Sequence, residues 1–333
     1  MAATNRQVLL ARRPQGMVTE DDFRIVDAPI ARPGDVEVLV RNMWLSLDPY
    51  MRGRMNDVKS YVPSVQLGEV MVGQTVGEVV ESRDARFAPG DKVLAPSGWQ
   101  LYGTIKGDEL AKVDTRLAPA SSYLGVLGMP GFTAWFGLSE IGKPKPGETV
   151  VVSAASGAVG SVVGQLAKLQ GCRVVGIAGG AAKCDYVVRE LGFDACVDHK
   201  RGSLLEDLRA ACPKGVDVDF ENVGGAVLDT VLALMNRFSR IIVCGLVAEY
   251  NSTEPYGYRR LRSVLVNRIH MQGMIVFDWK DRYGEALAGL AKHFAAGKIV
   301  YRESVVDGID NAPKGLIALL RGENFGKQLV KLA

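Results

Sequence analysis

Apolar residues follow one rhythm up to about residue 125 and another beyond it. In the first region Val36, Val38 and Val40 recur at a period of two, the pattern of a half-buried strand. Short apolar segments at 75–80 and 92–95 are set off by glycine and proline, and a helical period is visible only around 119–127. This predicts a β-rich domain of barrel or sandwich type. From 126 onward, strand patterns at 149–155, 173–178, 195–199, 216–222, 240–246 and 270–277 alternate with helix patterns at 158–170, 181–192, 203–211 and 225–237. Such alternation predicts a doubly wound parallel sheet with helices on both faces. A helix near 282–297, a strand near 300–306, a helix near 311–321 and a closing strand at 327–332 follow, the last returning to the first domain. The predicted division is 1–125 with 300–333 as the β-rich domain, and 126–299 as the nucleotide-binding domain.

The most informative stretch is Val150 to Gln165, where a buried-strand pattern enters a glycine-rich turn and then a helix. Gly157, Gly160 and Gly164 are expected to leave room for a phosphate at the backbone. The first amides of a helix lack partners and carry partial positive charge, so this helix start is expected to hold an anion. The spacing is looser than Gly-x-Gly-x-x-Gly, but its place between strand and helix points to a dinucleotide.

An acidic residue about 20 positions past the first glycine binds the ribose of NAD. Here the second strand runs into Gly179-Gly180-Ala181-Ala182-Lys183, with small residues and a cation where the acid would stand. This favours the 2′-phosphate of NADP, with Lys183 as its partner; the alternative is a surface lysine in a first helical turn. His199, ending the third strand, either flanks the same phosphate or is an ordinary strand-end histidine.

Composition narrows the chemistry. The 333 residues are 47% apolar and 23% charged, with net charge +3, too mild a balance to suggest nucleic acid. No apolar run reaches a membrane span, and the N-terminal residues lack a signal-peptide pattern, so a cytoplasmic protein is expected. Five cysteines form no Cys-x-x-Cys pair, and their odd number argues against a disulfide framework. The first cysteine is Cys172 and the first histidine His199. Catalytic zinc needs three protein ligands, typically from these residues, so no metal site is expected in the first domain. A β-rich domain followed by a nucleotide-binding domain resembles the medium-chain dehydrogenase/reductases, many of which are zinc alcohol dehydrogenases; without that Lewis acid, the resemblance implies hydride addition to a double bond conjugated to a carbonyl rather than alcohol oxidation. A hydroxyl or water suffices to protonate its enolate.

An ordered set of segments carries a resemblance. These are Arg13–Gly16 with Asp22–Arg24, then Leu45–Met55, Gly128–Trp135, the glycine turn, Glu221–Gly225, Val243–Asn251 and Asn324–Lys327. Together they resemble the zinc-independent medium-chain dehydrogenase/reductases, in the branch of alkenal/one oxidoreductases, prostaglandin reductases and bacterial curcumin reductases. Ala178–Cys184 and Cys212–Gly215 look most like the curcumin reductase type. The resemblance implies a GroES-like barrel beside a Rossmann-type domain, NADPH as cofactor, and reduction of enals or enones, including curcumin-like dienones. A quinone reductase is the alternative within the same fold. A non-catalytic NADPH-binding sensor or structural protein is the alternative outside enzymes.

The resemblance also implies site roles. Gly157, Ala158, Val159 and Gly160 would hold the pyrophosphate through their backbone, and Lys183 the 2′-phosphate, where many relatives carry a tyrosine near the position of His199. Asn222 and the loop Cys244, Gly245, Leu246 to Tyr250 would line the cofactor. Met129 and Thr133 would lie by the nicotinamide half, Met274, Ile275 and Val276 would contact its carboxamide, and Asn324 would reach the cofactor from the last turn. Tyr250 is the candidate catalytic hydroxyl, since a phenol stays protonated at neutral pH; the alternative is that it only orders the ribose. Tyr50 either lines the substrate pocket or packs as a structural aromatic, and Arg52 and Arg54 are expected to hold its turn. A homodimer is expected by analogy, pairing through the strand at 269–275.

Overall fold

The computed structural model describes residues 4–333. These form two compact units, one of residues up to Leu124 together with Glu303–Ala333, the other Gly125–Arg302.

In the first unit β1 (Thr4–Leu10) and β2 (Phe23–Pro29) form an antiparallel hairpin. A larger sheet follows from β3 (Glu37–Ser46), β4 (Thr75–Ser82), β5 (Lys92–Ala95), β6 (Tyr102–Lys106) and β7 (Ala111–Lys112). The predicted two-residue alternation needs correcting at β3. Val36 precedes the strand in a left-handed conformation (φ 56°) and is exposed, while Val38, Leu39 and Val40 are all buried. The strand is covered on both faces here, so its period is hidden. A short helix, α1 (Tyr50–Arg54), stands where a turn was expected, and the helical period near 119–127 resolves as a 3-10 turn over Ala120–Leu124.

The second unit opens with α2 (Met129–Phe136), then alternates: β8 (Thr149–Ser153), α3 (Gly160–Leu169), β9 (Arg173–Ala178), α4 (Ala181–Arg189), β10 (Ala195–Asp198), α5 (Leu204–Ala211), β11 (Val216–Glu221), α6 (Gly225–Leu232) and β12 (Met235–Val243). After α7 (Arg262–Asn267) come β13 (His270–Gly273) and α8 (Tyr283–Ala295). The sheet order is β10-β9-β8-β11-β12-β13, all parallel. Central β8 is buried along its whole length. One face of the sheet packs Val151, Val175, Ile177 and Val197 against Leu208, Val227 and Val231 of α5 and α6.

Two boundaries differ from the sequence pattern. The helix predicted over 225–237 ends at Leu232, and Met235 already belongs to a strand. An apolar run such as Val231–Met235 suits either element, and pairing of Met235 with Val216 decides for the strand. The strand predicted over 270–277 ends at Gly273, because residues 276–282 coil into a 3-10 segment.

The chain then returns to the first unit with β14 (Glu303–Asp307), α9 (Ala312–Leu320) and β15 (Lys327–Lys331). β15 pairs antiparallel with β3 and parallel with β14, completing that sheet. Among the described residues no helix is long and apolar enough to cross a membrane.

Candidate active site

The order of the six parallel strands reverses between β8 and β11, and in such sheets ligands bind outside the carboxyl ends of the strands at that point. The residues there are Ala154–Gly160 after β8, Gly179–Lys183 after β9, Asn222–Gly225 after β11 and Cys244–Tyr250 after β12.

The first turn is tight. Ala154 is left-handed (φ 49°), an unusual conformation for a residue with a side chain, and its carbonyl accepts from the Gly157 amide at 2.9 Å. A Cβ on Gly160 would lie 2.5 Å from that same carbonyl oxygen, and one on Gly157 3.1 Å. Only glycine at 160 lets α3 start so close to the strand end. The turn leads straight into a ten-residue helix, whose Ser161 and Val163 amides already donate to the Gly157 and Val159 carbonyls, and the partial positive charge of that helix start suits a pyrophosphate. The expectation for Gly164 needs correction. Its missing Cβ is replaced by the Phe193 ring, whose nearest carbon would be 1.8 Å away, so this glycine serves helix packing rather than a phosphate.

At the second turn the absence of an acid in the loop itself hides a nearby one. Asp198, from the neighbouring β10, accepts from the amides of Gly180 at 2.8 Å and Lys200 at 3.0 Å. Those hydrogen bonds hold its carboxyl below the usual range, and they commit one oxygen to shaping the loop. Lys183 stands in the first turn of α4, half-buried. Burial, with the like charge of Lys200, lowers its pKa. His199 is lowered in the same way, first by desolvation and then by Lys200. Its Nε2 lies 2.9 Å from where a Cβ of Gly179 would stand, so the histidine is packed on the glycine loop. Lys183 and Lys200 thus place two cations around that loop, with the His199 imidazole packed beside them.

At the third and fourth tips the backbone is locked by a buried carboxylate. Glu221 Oε1 accepts from Ser153 Oγ at 2.5 Å and from the amides of Val223 and Gly224 at 2.5 and 3.0 Å. Ser153 Oγ in turn accepts from the Asn222 amide at 2.7 Å, and Asn222 Nδ2 donates to the Ser153 carbonyl at 2.8 Å. Asn222 therefore ties the tips of β8 and β11 together. Desolvation raises the Glu221 pKa, against those hydrogen bonds. The amides of Cys244 and Gly245 donate to the Glu221 carbonyl at 2.9 and 3.1 Å, and the Leu246 amide lies 3.4 Å from the Tyr250 hydroxyl, which accepts from it. The phenol is folded toward its own loop, beside Gly245. Glu249, two positions from the loop's centre, is bound by Tyr258 OH at 2.7 Å and the Gly225 amide at 3.1 Å.

Of the remaining candidates in this unit, Thr133 Oγ1 donates to the Met129 carbonyl at 2.8 Å, one turn back within α2. Met274 and Val276 are buried, flanking the partly exposed Ile275, and the Met274 amide donates to Val243 at 3.0 Å.

In the first unit Tyr50 opens α1 and is half-buried. Desolvation and the Asp48 charge raise its pKa. Asp48 is buried against Lys327, whose Nζ lies 2.5 Å from Oδ1 and also donates to the Leu47 carbonyl at 2.9 Å. Arg52 holds the turn as expected, donating to Asn56 at 2.6 Å and to the Gly16 carbonyl at 3.0 Å, while Arg13 donates to the Met55 and Val65 carbonyls. The segments Arg13–Gly16 and Leu45–Met55 therefore occur together because one wraps the other. Asn324 Nδ2 donates to the Gly326 carbonyl at 2.8 Å.

Sequence reasoning missed Ser153, Glu221 and Asp198 as site-shaping residues. The first two lie inside quoted segments, but nothing in a sequence shows that strands 68 positions apart share a carboxylate.

Residues 6–113 match the family described as the N-terminal domain of oxidoreductase, and residues 158–292 that described as zinc-binding dehydrogenase. NADPH-dependent curcumin reductase from Escherichia coli is 51% identical over 335 residues, covering 99% of this chain and 97% of the relative. The chain belongs to the medium-chain dehydrogenase/reductases, in the alkenal/one oxidoreductase branch. The NADP-dependent 2-alkenal reductase of Nicotiana tabacum is 42% identical, covering 99% and 98%. CurA from Vibrio vulnificus, solved in complex with NADPH, superposes with a TM-score of 0.94 at 49% identity, covering 98% of this chain and 99% of that one. Although one of the family descriptions names zinc, no cysteine or histidine precedes residue 172. Nor does any group of three or more His, Cys, Asp or Glu among the described residues stand where it could hold a metal ion.

Proposed function

We propose that this protein uses NADPH to reduce the carbon–carbon double bond of α,β-unsaturated aldehydes and ketones. The full-length likeness to curcumin and 2-alkenal reductases carries this reading. The site fits the cofactor independently: the space at Gly160 exists only because no Cβ fills it, and two cations stand at the Gly179–Gly180 loop. When bound, NADPH supplies the hydride. The backbone of Gly157–Gly160 would hold the pyrophosphate, while Lys183 and His199 would bind the 2′-phosphate. Asn222, the loop from Cys244 to Leu246, Met129, Thr133, Met274, Ile275, Val276 and Asn324 would line the cofactor.

Tyr250 is proposed as the hydroxyl that donates to the enolate oxygen formed once the β-carbon has received hydride. Its oxygen accepts only weakly from the Leu246 amide, at 3.4 Å. Tyr50 is proposed to line the substrate pocket. The test is NADPH consumption on a panel of small enals, long-chain enones, curcumin-like dienones and quinones, with NADPH deuterated at the transferred position. Deuterium at the β-carbon of a saturated ketone supports the reading. Turnover of quinones alone would replace it with quinone reduction.

A homodimer is proposed from the edge of the parallel sheet. β13 is the edge strand of the six-stranded sheet, and at the preceding helix α7 Leu265 is 78% exposed and Leu261 57%. A strand edge flanked by apolar side chains is satisfied by a second copy across a two-fold axis. Sedimentation of the wild type and of Leu265→Glu tests this, the variant being expected to shift toward monomer. A cytoplasmic setting is proposed with it, consistent with cysteines kept as thiols.

A further inference from the structure

Cys184 and Cys196 are twelve positions apart and belong to no recognisable sequence motif, yet the fold brings their sulfurs to 2.7 Å. Cys184 is in the first turn of α4, and Cys196 is on β10 facing the same helix. Its partner across the ladder is Gly176 of β9. With no side chain at 176, α4 settles onto the sheet: a Cβ there would stand 2.9 Å from Val187 Cγ1. That close approach sets the two thiols face to face. Both are partly accessible, unlike Cys172 and Cys212, which are buried.

We propose that Cys184 and Cys196 form a redox-active dithiol that a hydroperoxide converts to an intramolecular disulfide. The two sulfurs have distinct roles. The Cys196 thiol donates to Cys184 Sγ, and that hydrogen bond lowers the Cys184 pKa against its desolvation and the nearby Asp198 and Asp185 carboxylates. Position in the first turn of a nine-residue helix favours the thiolate in the same direction. The other cysteines are shifted the opposite way by burial, Cys172 upward, Cys212 to about 11 and Cys244 to about 12. Cys184 is therefore the nucleophile and Cys196 the resolving thiol.

In the first step the Cys184 thiolate attacks the peroxide. An S–O bond forms, the O–O bond breaks, and the departing oxygen takes a proton to leave as an alcohol or water. Sulfur is oxidised by two electrons and the peroxide reduced by two. In the second step Cys196 loses its proton and attacks the Cys184 sulfenic acid; the S–S bond forms, the S–O bond breaks, and water leaves. A closure of less than one ångström brings the sulfurs to the bonding distance of about 2.0 Å. A dithiol reductant reverses the change by exchange.

The test treats the full-length reduced protein with an equimolar amount of hydrogen peroxide. The expected product has no disulfide between chains, and each chain is lighter by about 2 Da, the two hydrogens lost on disulfide formation. Free thiols should fall from five to three, and the peptides bearing Cys184 and Cys196 should be linked. Dithiothreitol should restore all five. Cys196→Ser should instead stop at a trappable sulfenic acid on Cys184, and Cys184→Ser should consume peroxide far more slowly. Five thiols surviving in the wild type would overturn the proposal, as would linkage mapped to any other pair. A sulfenic acid that persists in the wild type would overturn the resolving role of Cys196.

Discussion

The amide of Gly180 donates to Asp198 Oδ1 at 2.8 Å, joining the loop after one strand to the end of the next. An acid in this region of a dinucleotide site can bind a ribose; here it is occupied by the backbone that presents Lys183. Asp198→Ala should loosen that loop. The loss of one charge-assisted hydrogen bond, about 1.5–3 kcal/mol, corresponds to a roughly ten- to hundredfold upper bound on lost NADPH affinity. Titration by intrinsic fluorescence measures it, and unchanged affinity would mean the loop holds its shape without the carboxylate.

Lys183→Ala should weaken NADPH by about tenfold or more while leaving NADH nearly unaffected, if the deleted cation is the partner proposed for the 2′-phosphate. Paired dissociation constants for the two cofactors decide the matter. Equal losses would remove Lys183 from the phosphate site.

His199 has a depressed pKa in the free protein, through desolvation and the Lys200 charge, and a bound phosphate dianion would raise it. Binding then takes up a proton. NADPH affinity should be highest below the free-state pKa, fall as pH rises toward the bound-state value, and level off above it. The slope should be absent for NADH and for His199→Gln. A flat NADPH affinity between roughly pH 6 and 8.5 would exclude contact with the phosphate.

Tyr250→Phe should reduce enone turnover by about a hundredfold if its hydroxyl is the proton donor, the lower end of general-acid contributions, with NADPH binding unchanged. Single-turnover rates with excess enzyme separate chemistry from release. An unaltered rate would assign protonation to water.

Gly164→Ala places a Cβ into the Phe193 ring and should destabilise the fold by about 1–3 kcal/mol, as overpacking does. Adding Phe193→Leu should recover much of the loss, read as midpoints of chemical denaturation. Gly160→Ala, facing a backbone carbonyl instead of a movable ring, should have no such rescue.

Periodicity and punctuation made the alternation of strands and helices after residue 126 legible, and with it a nucleotide site at the glycine turn. The pattern was weakest where apolar residues run without interruption. Val38, Leu39 and Val40 are covered on both sides, and Val231–Met235 is apolar throughout, so neither stretch displays its own period. Glycine positions were visible but their purposes were not. Gly160 serves the turn and Gly164 serves Phe193, a distinction made by what stands across from each.

The sequence by itself determined the chain order of the elements, the cationic loop at Lys183 and the absence of early cysteine and histidine, because these depend on local spacing and on residue types present or missing. Tertiary structure alone decided that Asp198 shapes the Gly179–Gly180 loop, that Ser153 and Glu221 lock two strand tips, and that Cys184 meets Cys196. Each of these joins residues on different strands or on a helix and a strand, and such distances exist only once the sheet has assembled.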